Sequence, residues 1–388
     1  MHAGLRFGIF LAPFHQPRGN PTRALRRDLE LIVHLDSLGF DEVWVGEHHS
    51  GGVEIIGDPF VFAAAALERT TRVRIGTGVA SLPYHSPLWI AERTVLLDHL
   101  SEGRFMLGVG PGALPTDARM IGIDPLRQRP MLAEALPAVL HLLRHDEPLT
   151  RETSWFTLVE ASTQLAPYTD PHAEVAVAAT MSPSGPLLAG QQGVGLLSIG
   201  ATAAIDALAG QWDLVQHEAR AAGHSVDRST WRLVGPMHLA ATREQALEDV
   251  RYGLDHWFDY FQQVAAAPQL LPPGATFDER VDFINSSGLG VIGTEEDAID
   301  HLERLRAATG GFGAYLLFAH EWAEPEATWS SFERLSRFVM PALQGSTSAL
   351  LAAERRAADL REELFARQAL ALEEATARHA DGAGRLVT

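Results

Sequence analysis

The fold is decided first by residues 5–46, which read LRFGIFLAPFHQPRGNPTRALRRDLELIVHLDSLGFDEVWVG. The apolar run at 5–11 predicts a β-strand, the amphipathic stretch at 21–39 predicts a helix that ends at a glycine, and 42–46 predicts a second strand. Strand, helix and strand in this order are typical of a βα unit in a parallel sheet.

The same alternation continues along the chain. Further strands are predicted at 73–79, 105–109, 174–179, 195–199, 231–239 and 314–319, and further helices at 59–70, 87–100, 186–191, 203–222, 243–263 and 295–308. Eight parallel strands with intervening helices are better closed as a barrel than left as an open sheet. The predicted fold class is therefore α/β, a (β/α)₈ TIM barrel with inserted loops and a C-terminal helical extension.

Two stretches interrupt the alternation. Residues 147–171 have Pro-, Thr- and Asp-rich flanks and predict an inserted hairpin or lid, and residues 265–288 are rich in Pro, Gly and Ser and predict a second loop over the site. After 345 the composition shifts to Ala, Leu, Glu and Arg at helical spacing. We expect a barrel domain over 1–345 and a helical extension over 346–388, which either docks on the barrel or acts as a dimerisation arm.

Composition excludes several kinds of chemistry. The 388 residues include no cysteine, so disulfides, thiolate nucleophiles and cysteine-ligated metal centres are ruled out. All 31 basic residues are arginine, so there is no lysine for a Schiff base or a Walker phosphate loop. A net charge of -18 with dispersed arginines argues against nucleic-acid binding.

The sequence also predicts a cytoplasmic protein that does not enter a membrane. Residues 1–10 lack the basic patch and apolar run of a signal peptide. No apolar stretch approaches the roughly 18 residues that a spanning helix needs.

Polar residues cluster where predicted strands end, which is where barrels of this type build their active sites. Histidine is prominent among them and suits proton transfer near neutral pH. No metal site is predicted from His48 and His49, because these adjacent residues point to opposite sides of the chain. A zinc or iron site would need residues from other strands, such as His15, His320 and Glu321. These strand-end residues are His15, Glu47, His48, His49, Gly110, Gly112, Ser182, Ser184, His320, Glu321 and Trp322.

Simpler interpretations accompany these candidates. His48 could be a buried polar residue satisfied by a hydrogen bond, and strand-end glycines often serve close packing or tight turns. Ser182 and Ser184 could bind phosphate at a helix start or simply cap that helix. The GLGVIG stretch at 288–293 matches the dinucleotide fingerprint by letter, yet it follows an irregular segment late in the chain, so we expect its glycines to serve a turn.

Five motifs along the first third of the chain show a family resemblance. They are WVGEHH at 44–49, GTG at 76–78, LPYHSP at 82–87, LDHLSEGRF at 97–105 and GVGPG at 108–112. With this order of motifs the chain resembles the bacterial-luciferase-like flavin-dependent monooxygenases. Later features at 292–294, 318–322 and 337–341 are similar to limonene-monooxygenase-like members of that family.

The resemblance implies a barrel that binds reduced flavin, with FMN preferred to FAD. Oxygen then gives a flavin hydroperoxide that oxygenates a small apolar substrate, terpene- or polyketide-like. It also implies a homodimer and, because no second nicotinamide-binding fold is visible, a separate flavin reductase. Two alternatives remain open, a deazaflavin-dependent oxidoreductase that needs no oxygen and a non-catalytic flavin-binding barrel.

Site residues follow from the resemblance position by position. His48 and Glu47 match the catalytic positions, and Gly78–Val79 matches a non-prolyl cis peptide under the flavin ring. Pro111 and Met181 replace an arginine and a glutamate of luciferase, so phosphate binding would rely on backbone amides and hydroxyls. The expected cofactor residues are Gly78, Val79, Ala80, Gly110, Gly112, Met181, Ser182, Ser184 and Gly185. The candidate substrate residues are expected from their position as lining of the barrel mouth, with core packing as the alternative for each aromatic: Phe14, His15, Tyr84, His320 and Trp322, with Trp155 and Phe283 as further aromatic candidates.

Overall fold

A computed structural model describes residues 4–144, 147–180, 182–199, 205–265 and 274–384. The chain divides into two compact units, Met1–Leu343 and Gln344–Thr388. Among the helices within the described ranges, none is both long enough and apolar enough to cross a bilayer.

Eight parallel strands close into the predicted barrel. They are β1 (Arg6–Leu11), β2 (Glu42–Val45), β3 (Arg74–Thr77), β4 (Phe105–Gly110), β5 (Glu174–Ala179), β6 (Gly195–Ile199), β7 (Trp231–Gly235) and β8 (Ala314–Phe318). Their order is β3-β2-β1-β8-β7-β6-β5-β4, and a pairing of β4 with β3 closes the ring. The predicted fold class is confirmed.

Two predicted strands are too long. The strand predicted at 73–79 ends at Thr77, and Ala80–Ser81 forms a short separate strand beside β4. The strand predicted at 231–239 ends at Gly235, after which Met237–Leu239 leaves the barrel and pairs with Val291–Gly293. Both breaks lie at the carboxyl end of the barrel, where loops diverge.

Helices cover the outside of the barrel. Up to Gln344 they are α1 (Pro21–Leu38), α2 (Pro59–Leu67), α3 (Pro87–Leu100), α4 (Pro115–Ile121), α5 (Pro125–Leu143), α6 (Ser184–Gln192), α7 (Ile205–Ala222), α8 (Arg243–Val250), α9 (Leu254–Gln263), α10 (Phe277–Ser287), α11 (Glu295–Thr309), α12 (Pro325–Arg334) and α13 (Met340–Gln344). The helix predicted at 243–263 is interrupted at Gly253. A Cβ there would lie 1.8 Å from the carbonyl oxygen of Glu321, so only glycine allows the two segments to approach.

The first predicted insertion is a hairpin, as expected. Leu149–Glu152 pairs antiparallel with Thr157–Ala161. Trp155 at the turn donates its indole N–H to Glu134 of α5, 2.9 Å away, and its ring packs against the main hydrophobic core. This contact fixes the hairpin to the helical layer.

The second predicted insertion is not simply a loop. Its part from 277 to 287 is α10, which begins with a capping box between Thr276 and Glu279. Residues 266–273 of this stretch lie outside the described ranges. The glycine-rich stretch that follows serves turns, as predicted: Gly288 ends α10 with a φ of +82°, and 291–293 is a strand.

The second unit is helical. It contains α14 (Ser348–Asp359) and α15 (Arg361–Gly384). Two i,i+4 ion pairs form on α15, between Glu363 and Arg367 at 3.9 Å and between Glu374 and Arg378 at 3.3 Å.

The barrel interior is charged at the amino-terminal end of the strands. Arg232 of β7 reaches across to Glu42 of β2, with a distance of 2.8 Å between Nε and Oε2, and both side chains are fully buried. Glu174, Arg74 and Arg6 extend the network. Although burial raises the pKa of Glu42, the charge and hydrogen bonds of Arg232 lower it to about 2. This network is the floor of the barrel.

Above the floor lies a layer of apolar side chains. Trp44, Met106, Leu197, Val234 and Leu316 are buried there together. Arg232 lies 4.9 Å from the centre of the Trp44 ring, so the floor and the apolar layer are in contact. The layer separates the charged floor from the loops at the opposite end.

We predict that Arg232→Met lowers the free energy of unfolding by about 3–5 kcal/mol, because it leaves buried carboxylates without their main counter-charge. Chemical denaturation followed by circular dichroism measures this loss. Arg243→Met is the matched control, because its ion pair with Asp297 lies at the surface and should contribute far less. Equal losses in the two variants would contradict the prediction.

Candidate active site

Glu47 ties three segments together at the carboxyl end of the barrel. Its Oε2 accepts the backbone N–H of Ser81 at 2.6 Å, and its Oε1 contacts Nε2 of His85 at 2.7 Å and Nε2 of His49 at 3.1 Å. Although burial raises the pKa of Glu47, the hydrogen bonds from His49 and His85 bring it below its usual value. The carboxylate is therefore ionised at neutral pH and anchors the chain that leaves β3.

The neighbouring strand ends carry almost no side-chain bulk. Gly46, Gly78 and Gly110 lie side by side at the ends of β2, β3 and β4, and we call them the mouth slot. A Cβ on Gly110 would lie 2.7 Å from Cγ2 of Val79, and a Cβ on Gly78 would lie 2.8 Å from Cβ of Trp44. The peptide bond between Gly78 and Val79 is cis, as the resemblance predicts. The glycines at these strand ends are therefore packed closely against the side chains of Ala12, Trp44 and Val79.

His48 lies between two carboxylates. Its Nδ1 is 3.2 Å from Oδ2 of Asp117 on α4, and its Nε2 is 2.6 Å from Oε2 of Glu54 on the loop after β2. Although burial lowers the pKa of His48, Glu54 and Asp117 raise it to about 10. His48 is therefore an imidazolium at neutral pH.

A second network joins Tyr84 to the loop after β4. The side-chain amide of Gln128 donates to the Tyr84 hydroxyl at 2.8 Å and to the carbonyl of Pro111 at 2.9 Å. Gly112 has a φ of +94°, and a Cβ there would lie 2.3 Å from the Tyr84 hydroxyl, so this loop requires glycine. Burial raises the pKa of Tyr84 to about 12, which keeps the phenol neutral.

The predicted phosphate residues lie at the start of α6. The hydroxyls of Ser182 and Ser184 are 3.0 Å apart, and the N–H of Ser184 donates to Ser182 at 3.3 Å. A Cβ on Gly185 would lie 2.6 Å from the carbonyl oxygen of Ala178, so the first turn of α6 sits directly on the end of β5. Met181 lies outside the described residues. Hydroxyls and helix-start N–H groups are the donors that bind phosphate in proteins.

His15 lies in a separate charged cluster at the rim. Its Nε2 is 2.8 Å from Asp28 and its Nδ1 is 3.2 Å from Glu321, which also pairs with Arg27. Although burial lowers the pKa of His15, Asp28 and Glu321 raise it to about 9. The cluster joins the loop after β1 to α1 and to the loop after β8.

The other predicted substrate residues are packed inside the protein. His320 donates from Nε2 to the carbonyl of Met237 at 3.0 Å and stacks 4.1 Å from Trp322. Burial lowers the pKa of His320 to about 3, so its ring is neutral. Phe14 and Trp322 are only 1% and 0% exposed, in a hydrophobic cluster with α9. Substrate contact by these residues stays a prediction.

Comparison with known proteins shows the family to which this architecture belongs. The model of the family described as luciferase-like monooxygenase matches residues 5–311, well over half of the chain. The chain belongs to the luciferase-like monooxygenase family. The sequence resemblance to this family is confirmed.

Relatives of this luciferase-like monooxygenase are close. Limonene 1,2-monooxygenase of Rhodococcus erythropolis is 47% identical over 345 residues, which cover 87% of each chain. The 4-hydroxyprotoasukamycin monooxygenase of Streptomyces nodosus subsp. asukaensis is 42% identical over 355 residues, 90% of this chain and 95% of that protein. A solved 3,6-diketocamphane monooxygenase component from Pseudomonas putida, in complex with FMN, superposes with a TM-score of 0.73 at 24% identity, covering 87% of this chain and 98% of that one, and shows the shared fold.

Three side chains near Glu47 and His48 do not follow a predicted strand, so the strand-end pattern could not predict them. Glu54 lies inside a loop, Asp117 lies on α4, and Gln128 lies on α5. The one available signal was composition, since Glu54 is an acid within an otherwise apolar stretch, VEII at 53–56. Asp117 and Gln128 reach the site only because of the path of the loop after β4.

We predict that the stability contributed by His15 depends on pH. Its pKa is raised in the folded protein, so its contribution should be fully present below about pH 6.5 and lost as pH rises through about 9. His15→Gln should therefore lower the free energy of unfolding at pH 6 by at least about 1 kcal/mol more than at pH 10. His217→Gln, an exposed site on α7, is the control for general pH effects. A pH-independent cost for His15→Gln would contradict the assignment.

Proposed function

We propose that this luciferase-like monooxygenase uses reduced FMN and O₂ to oxygenate a small apolar substrate of terpene-like character. The observation that carries the proposal is one barrel mouth that combines three strand-end glycines with the ionised Glu47 and the protonated His48. Bound reduced flavin supplies two electrons, so that one oxygen atom of O₂ enters the substrate and the other leaves as water.

The residues present fit a flavin. The mouth slot, formed by Gly46, Gly78 and Gly110, presents no side chains of its own beside Val79, which suits the approach of a flat ring. Ser182 and Ser184 offer hydroxyls and a helix start to a single phosphate. This modest donor set, with Pro111 where luciferase has an arginine, supports FMN, held weakly enough to exchange with a separate reductase.

The protein groups then have distinct tasks. Glu47 holds the backbone after the cis peptide in place and thereby fixes the shape of the slot. His48 holds a proton that it can donate to the reacting oxygen or to the substrate. Gln128 and Tyr84 fix the loop after β4 around Pro111.

Apolar side chains around the mouth support an apolar substrate. Val79, Ile199 and Phe318 are only partly buried and pack on the interior layer. Phe261 of α9 lies 6.1 Å from Phe318, measured between ring centres. Two similar monooxygenases are named for limonene and for 4-hydroxyprotoasukamycin, and these names agree with a ring-containing organic substrate.

The test is oxygen-dependent turnover with photoreduced FMN and a panel of monoterpenes. We expect the product to carry one atom from ¹⁸O₂, and no product without oxygen. Under the same conditions His48→Ala should lose about 10²–10⁴-fold in kcat, because proton donation typically contributes that much. His217→Ala, on the exposed face of α7, is the control variant. Anaerobic turnover with reduced deazaflavin would instead favour the alternative function, a deazaflavin-dependent oxidoreductase that needs no oxygen.

We also infer a homodimer. Val61 of α2 and Trp89, Leu96 and Leu100 of α3 are 68%, 59%, 50% and 56% exposed, and the three residues of α3 share one face. A second copy of the chain would bury this surface. Sedimentation should give a particle of twice the 42.2 kDa chain mass, and Trp89→Arg with Leu96→Glu should give the monomer. A wild-type monomer at micromolar concentration would refute the inference.

A further inference from the structure

Glu54 is a buried carboxylate to which the proposed function assigns no role of its own. Its side chain is 7% exposed, and its Oε2 lies 2.6 Å from Nε2 of His48. That oxygen has no aligned hydrogen-bond partner among the described residues, so the contact with His48 is an ion pair without the direction of a hydrogen bond. Asp117, in contrast, forms a hydrogen bond with Nδ1 of the same ring.

The surroundings of His48 contain few other charges. Tyr260 of α9 faces the acidic pair with a buried phenol, and burial raises the pKa of that phenol, so it brings no charge. His49 is the neighbouring titratable group, and its hydrogen bond with Glu47 on the other side raises its pKa. The positive charge on His48 is therefore compensated by Glu54 and Asp117.

We propose that Glu54 is a positioning residue for His48, which holds the ring in its protonated form while leaving the Nε2–H free to donate into the barrel mouth. The inference rests on the proposed role of His48 as the proton donor. It separates two tasks that a single carboxylate could not perform. Asp117 orients the ring through Nδ1, and Glu54 stabilises the charge without using up the remaining donor.

Physical chemistry supports this division. An opposite charge within about 4–6 Å favours the charged form of a group by about 1–3 pKa units. An aligned hydrogen bond from Nε2 to Glu54 would add further stabilisation, yet it would also compete with any ligand for that proton. A close contact without alignment favours the charged form of His48 and does not compete with a ligand for the Nε2 proton.

The test is the titration of His48 in the full chain, observed by NMR of ¹³C-labelled histidine without flavin and assigned by comparison with His48→Gln. Glu54→Gln should shift the midpoint to lower pH by about 1–3 units, because it removes a charge and keeps the shape. Glu30→Gln is the matched control, an exposed acid on α1 that does not contact His48. In turnover assays the alkaline limit of activity should move to lower pH by a similar amount.

The outcomes separate this inference from the proposed function. A shift below about 0.3 units in folded Glu54→Gln would overturn the role of Glu54. A clear NMR shift with an unchanged pH profile of activity would support Glu54 as the positioning residue and count against His48 as the donor. If Glu54→Gln does not fold, Glu54→Asp, which retracts the charge by one methylene, should give a smaller shift in the same direction, and no shift would again overturn the inference.

Discussion

The ion pair between Arg232 and Glu42 is the constraint on which the rest of the barrel depends. It joins β7 to β2 across the interior, with both side chains fully buried. The partly exposed side chains of Glu174, Arg74 and Arg6 extend this charged network across the amino-terminal end. A guanidinium fork satisfies several carboxylate oxygens at once, which apolar side chains could not do beside Glu42. The apolar layer lies directly on this network, since the Arg232 guanidinium is 4.9 Å from the centre of the Trp44 ring.

The opposite end of the barrel is organised by carboxylates as well, although with a different purpose. Glu47 and Asp117 accept hydrogen bonds from backbone N–H groups and contact histidines, so the rim is assembled from contacts between segments that are distant in the sequence. The chain belongs to the luciferase-like monooxygenase family. Its barrel has a packed interior and an ordered set of loops at the carboxyl end, where barrels of this type build their active sites. The rim cluster around His15 extends the same principle to α1.

Much of the fold could be predicted from the sequence because strand and helix periodicity is a local property. The eight strands, the hairpin at 149–161 and the cis peptide after Gly78 all follow from local pattern or motif. The break at Gly253, the helix α10 and the contacts of Glu54 could not, because they depend on which segments meet in space. The ion pair of Arg232 with Glu42 could not be predicted for the same reason, since 190 residues separate the two in the sequence.

The mouth slot has a consequence for how such enzymes diversify. A methyl group added at Gly46, Gly78 or Gly110 would come within 3.0 Å of a neighbouring side-chain carbon. Such a mutation would displace the barrel wall itself rather than reshape the guest's binding surface, so it would be removed by selection for foldability. Changes in substrate preference, whether natural or from directed evolution, should therefore accumulate in the loops and in α9. Libraries that randomise residues such as Phe261 will be richer in folded variants than libraries that randomise the strand ends.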